Sequence, residues 1–429
     1  MSSVDPRNRF LLSGLAAVAT TAVAWRPLDR FGPGSPLAFL SGLPTSEMPL
    51  HGMALQAAVG AVAARGGGAR GRRGAAGLGL TVASFAGLAL LQRAAAQSVD
   101  VLEAALVDGL GAGYRERISE PFSPRPDVPL DRRTMLLPAV GLRRRYAAVR
   151  DLAYGEYGRR NQLDIWRRAD LPSDAGAPVL LQVHGGGWTL GEKRGQAHPL
   201  MAHLAERGWV CVTINYRLSP RSTWPDHIVD VKRAIAWTKA NIVEHGGDPS
   251  FLATTGGSAG GHLCALAALT PGLAAFQPGF EDADTRVAAA VPFYGVYDFT
   301  SRGRASGRAL GVLLERQVMK TALDGDRAGW EQASPVWQVG PDAPPFFVLH
   351  GTNDTLVPVE QARAFAATLR DVSRQPVVYA ELPRAQHAFD VLPSVRTHHT
   401  VHAVERFLAV VRSEHGGATP AEAVVSDRV

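Results

Sequence analysis

One six-residue stretch, GGSAGG at residues 256–261, constrains this chain more than any other feature. An apolar run precedes it, and a helical run of small residues follows it. A strand that passes through a glycine turn and a serine into a helix is the arrangement of a nucleophile elbow. Gly256 and Gly260 would let strand and helix approach each other without a Cβ clash. Ser258 is therefore a candidate nucleophile, and the helix start at Ala259 offers N–H groups to a developing negative charge.

The chain after residue 146 alternates short apolar runs with longer helical stretches. This alternation is typical of an α/β fold with a mostly parallel, doubly wound sheet and helices on both faces, here preceded by two antiparallel strands. We predict strands at 145–154, 162–166, 178–184, 209–216, 251–255, 286–294, 346–350 and 376–382. We predict helices at 228–243, 262–269, 359–369 and 394–411. In open sheets of this kind, the chemistry lies at the carboxyl ends of the strands.

A run of three glycines flanked by His and Trp (HGGGW) directly follows one predicted buried strand. It consists of His184, Gly185, Gly186, Gly187 and Trp188. Consecutive glycines leave backbone N–H groups uncovered, and a tetrahedral oxyanion needs such donors. We expect the histidine to brace the loop. The tryptophan could line a substrate pocket or simply pack.

Two further residues follow predicted strands and complete a catalytic set. Asp354 comes just after the strand at 346–350, and His387 lies in a loop after the strand at 376–382. A histidine is the natural general base near neutral pH, and a carboxylate can hold its imidazole in the required tautomer. Either residue alone would be weak support for a site. The order Ser258, Asp354, His387, with a glycine loop upstream, is that of a hydrolase triad.

The HGGGW and GGSAGG motifs together resemble those of the hormone-sensitive-lipase-like esterase and carboxylesterase group of α/β hydrolases. The resemblance covers residues 146–412, and the segment at 349–364 (LHGTNDTLVPVEQARA) is similar to the acid-bearing segment of such enzymes. It implies that the N–H groups of Gly186, Gly187 and Ala259 form the oxyanion hole. The long hydrophobic N-terminal extension resembles that of mycobacterial-type Lip esterases.

The chain departs from this group at one position. The commoner motif is GDSAGG, and here Gly257 stands where the acid would be. The departure places the chain in a side branch, so the substrate preferences of the group do not transfer to it. The triad residues themselves are intact.

The predicted reaction is hydrolysis of a small-molecule ester or lipid through an acyl-enzyme, with no cofactor and no metal. An amidase, formamidase-like or exopeptidase-like hydrolase would use the same triad. A non-catalytic binding module with a hydrolase fold is the remaining alternative, although such modules usually lose the serine or the histidine. Residues 1–150 carry 18 basic and 10 acidic side chains, so the net charge of +6 lies there and not around Ser258. This distribution argues against a nucleic-acid partner.

Three apolar segments, at residues 11–23, 51–64 and 74–91, precede the α/β region. The third is long enough to span a bilayer, and the first also resembles a signal peptide. In one interpretation, residues 11–91 attach the chain to a membrane. The arginines between residues 65 and 73 would then lie in the cytoplasm and the catalytic domain would be extracytoplasmic, in the cell envelope. In the other, the segments are soluble helices that pack on the main domain, which leaves a cytoplasmic location open.

The predicted domain organisation has four parts. Residues 1–110 form a hydrophobic helical region, and residues 111–145 form a linker rich in Pro and Arg. Residues 146–412 form the α/β domain, with a cap insertion at 294–339, and residues 413–429 form a flexible tail. The sequence leaves the oligomeric state open.

Overall fold

The apolar runs after residue 146 pair into one eight-stranded sheet, as their alternation predicts. The protein is described by a computed structural model that covers residues 5–27, 30–119, 145–301 and 307–415. The strands are β1 (Ala147–Ala153), β2 (Gln162–Trp166), β3 (Ala177–Val183), β4 (Val210–Ile214), β5 (Gly247–Gly257), β6 (Ala289–Phe293), β7 (Phe346–Gly351) and β8 (Val377–Leu382). Their order is β1-β2-β4-β3-β5-β6-β7-β8. Strand β2 runs antiparallel to β1 and β4, and β3 to β8 pair in parallel.

Two layers of helices cover the sheet, because side chains alternate between its faces. In β3, Val179 and Leu181 pack into one apolar core, and Leu180 packs into the other. The N-terminal helices are α1 (Pro6–Trp25), α2 (Ser35–Glu47), α3 (Pro49–Ala64), α4 (Gly71–Ala96) and α5 (Ser98–Leu110). The remaining helices are α6 (His198–Glu206), α7 (Asp226–Asn241), α8 (Ala259–Leu269), α9 (Arg308–Leu313), α10 (Arg327–Gln332), α11 (Val359–Val372) and α12 (Val395–His415).

The parallel register brings five strand ends to one edge of the sheet. Val183 of β3 is paired with Gly256 of β5, and Gly257 is paired with Phe293 of β6. On the other side, the last residues of β7 and β8 are also paired. The HGGGW loop, the serine turn and the loops that carry Asp354 and His387 therefore leave the sheet side by side.

The predicted region 1–110 divides into two parts with different neighbours. Helix α5 packs against β8 and α12, and its Leu102 and Leu106 are fully buried in the core of the α/β domain. It is therefore one of the helices that cover the sheet.

Helices α1, α3 and α4 pack mainly on one another, and polar contacts support the packing. Thr21 Oγ1 and Ser84 Oγ are 2.7 Å apart, and Ser84 Oγ donates to Gln56 Oε1 at 2.8 Å.

This three-helix bundle, made of α1, α3 and α4, has a basic end and an apolar outer surface. Arg73 donates to the side chain of Asn8 at 3.0 Å, which brings the starts of α1 and α4 together. Six arginines are exposed at this end: Arg7, Arg9, Arg65, Arg70, Arg72 and Arg73. Large apolar side chains are exposed along the helices: Leu12, Leu15, Leu50, Leu55, Val59, Val62, Leu78, Val82 and Leu90.

Within the described residues, one helical segment is long and apolar enough to cross a membrane by length and composition. It is Gly71–Leu110, with a mean hydropathy of 1.8 over its 18-residue window, of which 28% is buried.

The predicted cap at 294–339 contains α9, a π-helical stretch (Leu314–Met319) and α10. Leu314 and Val318 are buried in the domain core, and the backbone oxygen of Val318 accepts a hydrogen bond from the N–H of Trp224 at 3.0 Å. This segment thus packs against the α/β domain. Residues 302–306 lie outside the described chain.

The predicted linker and tail fall mostly outside the described residues. Residues 120–144 and 416–429 are not among them. Helix α12 continues to His415, so residues 413–415, which we expected in a flexible tail, are helical.

Candidate active site

The serine turn has the strained backbone that its sequence predicts. Ser258 lies between β5 and α8 with φ 59° and ψ −122°, a conformation that is costly for a residue with a side chain. Its N–H donates to the backbone oxygen of Phe293 at 3.0 Å, which ties the turn to β6. A Cβ on Gly256 would lie 2.5 Å from the backbone oxygen of Gly260. The glycines thus allow the close approach of strand and helix that sets up the turn.

The HGGGW loop presents free donors beside this turn. Gly186 has φ +124°, and a Cβ there would collide with the backbone of Leu190. The N–H of Gly185 is already bonded to Gln196 Oε1 at 2.7 Å. Within the described part of the chain, the N–H groups of Gly186, Gly187 and Ala259 donate to no other group. These are the three N–H groups that we predicted for the oxyanion hole.

His184 has a structural role in the loop, as we expected. Its Nδ1 lies 2.8 Å from the backbone oxygen of Gly185, and its ring stacks on Tyr216 with 4.4 Å between centroids. The Tyr216 hydroxyl also donates to the backbone oxygen of His184 at 3.0 Å. Burial lowers the pKa of His184 to about 4, so the ring is neutral near pH 7.

Trp188 is a packing residue. It is 1% exposed, and its Nε1 donates to His262 Nδ1 at 3.2 Å. This bond fixes the tautomer of His262, so its Nε2 donates to the backbone oxygen of Ala333 at 2.7 Å. Burial lowers the pKa of His262 to about 4. The pair therefore connects the glycine loop, α8 and the cap through neutral groups.

Asp354 and His387 form the predicted acid–histidine pair. His387 Nδ1 lies 2.7 Å from Asp354 Oδ2, and both residues are at most 4% exposed. The other carboxylate oxygen, Oδ1, accepts the N–H groups of Leu356 and Val357 at 2.8 Å each. These bonds fix the carboxylate, which in turn orients the imidazole and its Nδ1–H.

A second histidine shares this carboxylate. His350 Nε2 lies 3.2 Å from Asp354 Oδ2 and 3.1 Å from the backbone oxygen of Val357. Burial by itself would raise the pKa of Asp354, but His387 and His350 outweigh it and hold that pKa well below the ordinary carboxyl value. Asp354 is therefore ionised at neutral pH.

Helix α2, which the sequence analysis did not predict, covers this pair. The ring of Phe39 packs edge-on against His387 with 6.0 Å between centroids. The backbone oxygen of Ser35 accepts from Thr355 Oγ1 at 3.3 Å. A signal for the helix was present, because a Ser-Pro pair at 35–36 begins an apolar run.

Hydrogen bonds and an ion pair also connect the N-terminal helices to the region around Asp354 and His387. Asn353 Nδ2 donates to the backbone oxygens of Ala24 and Trp25 at 2.8 and 3.0 Å. The side chains of Glu47 in α2 and Arg396 in α12 form a fully buried ion pair. The N-terminal region thus packs directly on the loops that carry Asp354 and His387.

Within the described residues, one group of three side chains has the spacing of metal ligands: His203, His402 and Glu405, with ligand atoms within 4.8 Å of one another. They lie on α6 and α12, away from the serine turn. Glu405 Oε2 is 2.7 Å from His203 Nε2, and Glu405 Oε1 is 3.2 Å from Arg207. The carboxylate is thus already paired within the protein.

The fold and the site together define the class of protein. A mostly parallel sheet carries a strained serine after β5, an aspartate after β7 and a histidine after β8, beside a loop of free N–H donors. This is the arrangement of an α/β-hydrolase.

The BD-FAE family matches residues 163–369. A solved structure titled "Truncated form of carbohydrate esterase from gut microbiota" shares the fold, with a TM-score of 0.52 at 21% identity over 61% of this chain and 97% of that chain.

Two relatives are similar over far more of the sequence. "Probable carboxylic ester hydrolase LipM" of Mycobacterium tuberculosis is 53% identical over 96% of both chains. "Esterase LipQ" of the same organism is 50% identical over 76% of this chain and 77% of its own. The chain belongs to the family of mycobacterial Lip carboxylic ester hydrolases, and it is a carboxylesterase.

Proposed function

We propose that Ser258, His387 and Asp354 are the catalytic triad of this carboxylesterase. The observation that carries the proposal is the 2.7 Å bond between His387 Nδ1 and Asp354 Oδ2. It places the ring proton on Nδ1 and leaves the Nε2 lone pair to accept the serine proton. The strained turn supports the serine assignment, because it presents the side chain at the edge of the sheet.

The proposed mechanism assigns a group to each step of the reaction. His387 Nε2 takes the Ser258 proton as the hydroxyl attacks the ester carbonyl. The N–H groups of Gly186, Gly187 and Ala259 stabilise the oxyanion, and loss of one such donor costs about 10²-fold or more in rate. The protonated imidazole then gives its proton to the departing alcohol, and the same base activates the water that frees the acid.

The test is replacement of the nucleophile in the full-length chain. Ser258→Ala should abolish hydrolysis of p-nitrophenyl esters and labelling by a fluorophosphonate, with an unchanged melting temperature. Ser250→Ala is the matched control, because Ser250 is exposed near the start of the same strand and its hydroxyl donates to the nearby side chain of Asp248. Ester turnover retained by Ser258→Ala would refute the assignment.

We also propose that the three-helix bundle anchors the enzyme in a membrane. Helix α4 has 26 residues, so it is about 39 Å long, enough to cross a bilayer of about 30 Å. Leucines and valines are exposed along α1, α3 and α4, and the six arginines gather at the end away from the catalytic loops. By the positive-inside rule, that end is cytoplasmic and the catalytic domain is extracytoplasmic, at the cell envelope.

Cysteine labelling tests this topology. The two native cysteines, Cys211 and Cys264, are buried and give a low background. An impermeant maleimide should label Glu156→Cys, an exposed site on the catalytic domain, in intact cells. It should label Arg72→Cys only after permeabilisation. Equal labelling of the two variants in intact cells, or recovery of the full-length protein in the soluble fraction, would contradict the proposal.

We further propose that the substrate is an ester with an apolar chain. Helix α2 lies beside His387 through Phe39, and its outer surface exposes Leu37 at 73% and Leu40 at 65%. A membrane surface at this position would deliver apolar esters to the site. A series of p-nitrophenyl esters tests this, because kcat/KM should rise from acetate to medium-length acyl chains. A steady fall with chain length would contradict it.

A further inference from the structure

Tyr294 contacts the predicted base and the residue before the predicted nucleophile. It follows the last residue of β6, and its N–H donates to the backbone oxygen of Leu349 at 2.7 Å. Its ring contacts the ring of His387, with 4.6 Å between centroids and 55° between planes. Its backbone has φ +37°, an unfavourable conformation for a tyrosine. Strain at a bulky residue persists only where the surroundings enforce it.

The hydroxyl of the same tyrosine occupies the space beside the residue before the nucleophile. A Cβ on Gly257 would lie 2.5 Å from Tyr294 Oη and 2.8 Å from two of its ring carbons. No side chain fits at position 257 while Tyr294 is in place. This explains in physical terms why glycine stands where the commoner GDSAGG motif has an acid.

A buried carboxylate holds the tyrosine in this position. Tyr294 donates from its hydroxyl to Asp390 Oδ1. Asp390 is 7% exposed and lies three residues after His387 in the same loop. Burial raises the pKa of Asp390, and burial and the adjacent carboxyl group raise the pKa of Tyr294 well above its usual value. The hydroxyl therefore keeps its proton at neutral pH and remains the donor.

We propose that Tyr294 and Asp390 form a positioning pair that holds His387 against the nucleophile turn and takes the place of the acid of the commoner motif. The inference rests on the proposed triad. Asp354 fixes His387 from the Nδ1 side, and Tyr294 supports a face of the ring. Asp390 joins the histidine loop to the end of β6, which is itself bonded to Ser258 through Phe293. The nucleophile turn and the histidine loop are thus both hydrogen-bonded to the end of β6.

The groups that face His387 come from several elements. Asp354 approaches from the loop after β7, with His350 behind it. Tyr294 and Asp390 approach from the end of β6 and from the histidine's own loop. Helix α2 contributes the uncharged ring of Phe39. The ring of Tyr294, held by Asp390, is therefore an aromatic contact that complements the carboxylate of Asp354 around the imidazole.

The experiment compares Tyr294→Phe, Asp390→Leu and the double variant in the full-length protein, because leucine has nearly the shape of aspartate and no acceptor oxygen. Tyr114→Phe is the matched control, because Tyr114 is also buried and donates to a carboxylate, Glu103, outside the site. A burst of p-nitrophenol counts the active sites, and the rate per site then gives kcat. We expect kcat to fall about tenfold in each single variant, with KM and the number of active sites unchanged. The double variant should lose no more than either single one, because both remove the same hydrogen bond.

Three results would overturn the inference. They are an unchanged rate per active site, a fall in the number of active sites at constant rate per site, and losses that multiply in the double variant. If Asp390→Leu does not fold, Tyr294→Phe decides alone, because it removes one oxygen and keeps the ring. Ser258→Ala separates the two proposals. An inactive Ser258→Ala beside a fully active Tyr294→Phe would refute the positioning pair and leave the triad standing.

Discussion

Replacing Asp354 by asparagine is the sharpest test of how the site sets the tautomer of His387. Asp354 Oδ1 accepts two backbone N–H groups at 2.8 Å each, and Oδ2 faces His387 Nδ1 at 2.7 Å. In the variant, the amide oxygen should keep the two backbone donors. The opposite orientation would leave two buried backbone N–H groups facing an NH₂, at a cost of about 1–3 kcal/mol each, whereas this one leaves only the N–H of His350 in that position, since His387 can change its tautomer. The NH₂ group should therefore point at Nδ1.

An NH₂ group at this point selects the wrong tautomer. His387 Nδ1 must then accept, so the ring proton moves to Nε2, which can no longer take the proton of Ser258. The same change in a serine protease triad lowers kcat about 10⁴-fold, which corresponds to about 5 kcal/mol in the barrier. We expect a loss of this order in kcat for p-nitrophenyl esters, with KM changed much less.

The control for this experiment is Asp326→Asn. Asp326 caps α10 through the N–H of Gly329 at 3.0 Å, and asparagine serves equally well as a cap. Its activity should match that of the natural chain. A folded Asp354→Asn variant with less than a tenfold loss of kcat would refute the argument, because the tautomer of His387 would then not depend on Asp354.

The remaining predictions concern stability and fit. Because the folded-state pKa of Asp354 lies below the ordinary value of about 3.9, its ionisation stabilises the fold above that value, and the contribution is lost as pH falls through the folded-state pKa. The difference in unfolding free energy between the natural chain and Asp354→Asn should thus be constant above about pH 4 and shrink below it. Urea titrations at several pH values will measure it. A difference that grows on acidification would contradict this prediction. Glu47→Gln leaves Arg396 buried without a counter-charge, so it should lower the unfolding free energy by about 3–5 kcal/mol in urea titration. The control Glu244→Gln, at an exposed site, should change the unfolding free energy little. Gly257→Ala should lower the melting temperature and the rate of ester hydrolysis, because the new Cβ would meet the hydroxyl of Tyr294. A melting curve like that of the natural chain would show that Tyr294 can move aside.

The sequence alone was enough to predict the framework and the chemistry. The strand runs match the eight strands of the sheet to within a few residues, because a buried parallel strand must be almost continuously apolar. Ser258, Asp354 and His387 were predictable for a similar reason. Each follows a strand, and the strand ends of a parallel sheet meet at one edge. The pairing of Asp354 with His387 confirms that part of the prediction.

Several features could be decided only by the tertiary structure. The sequence predicts that residues 98–110 belong to the hydrophobic N-terminal region, but in the structure the helix Ser98–Leu110 covers the sheet beside β8. Helix α2 contacts His387 through Phe39, which lies 348 residues earlier in the chain. A contact between residues so far apart leaves no periodic pattern in the sequence. The pairing of Tyr294 with Asp390 spans 96 residues and belongs to no motif.

The physical distinction is between local rules and packing. The serine turn, the glycine loop and the alternation of strands follow from backbone sterics and burial, which act over a few neighbouring residues and leave a pattern in the sequence. The supports of His387 come from four separate segments, around residues 39, 294, 354 and 390, which meet only when the sheet and the N-terminal helices have assembled. The sequence by itself therefore determined which residues we propose as the triad, and the tertiary structure decided which residues surround the histidine.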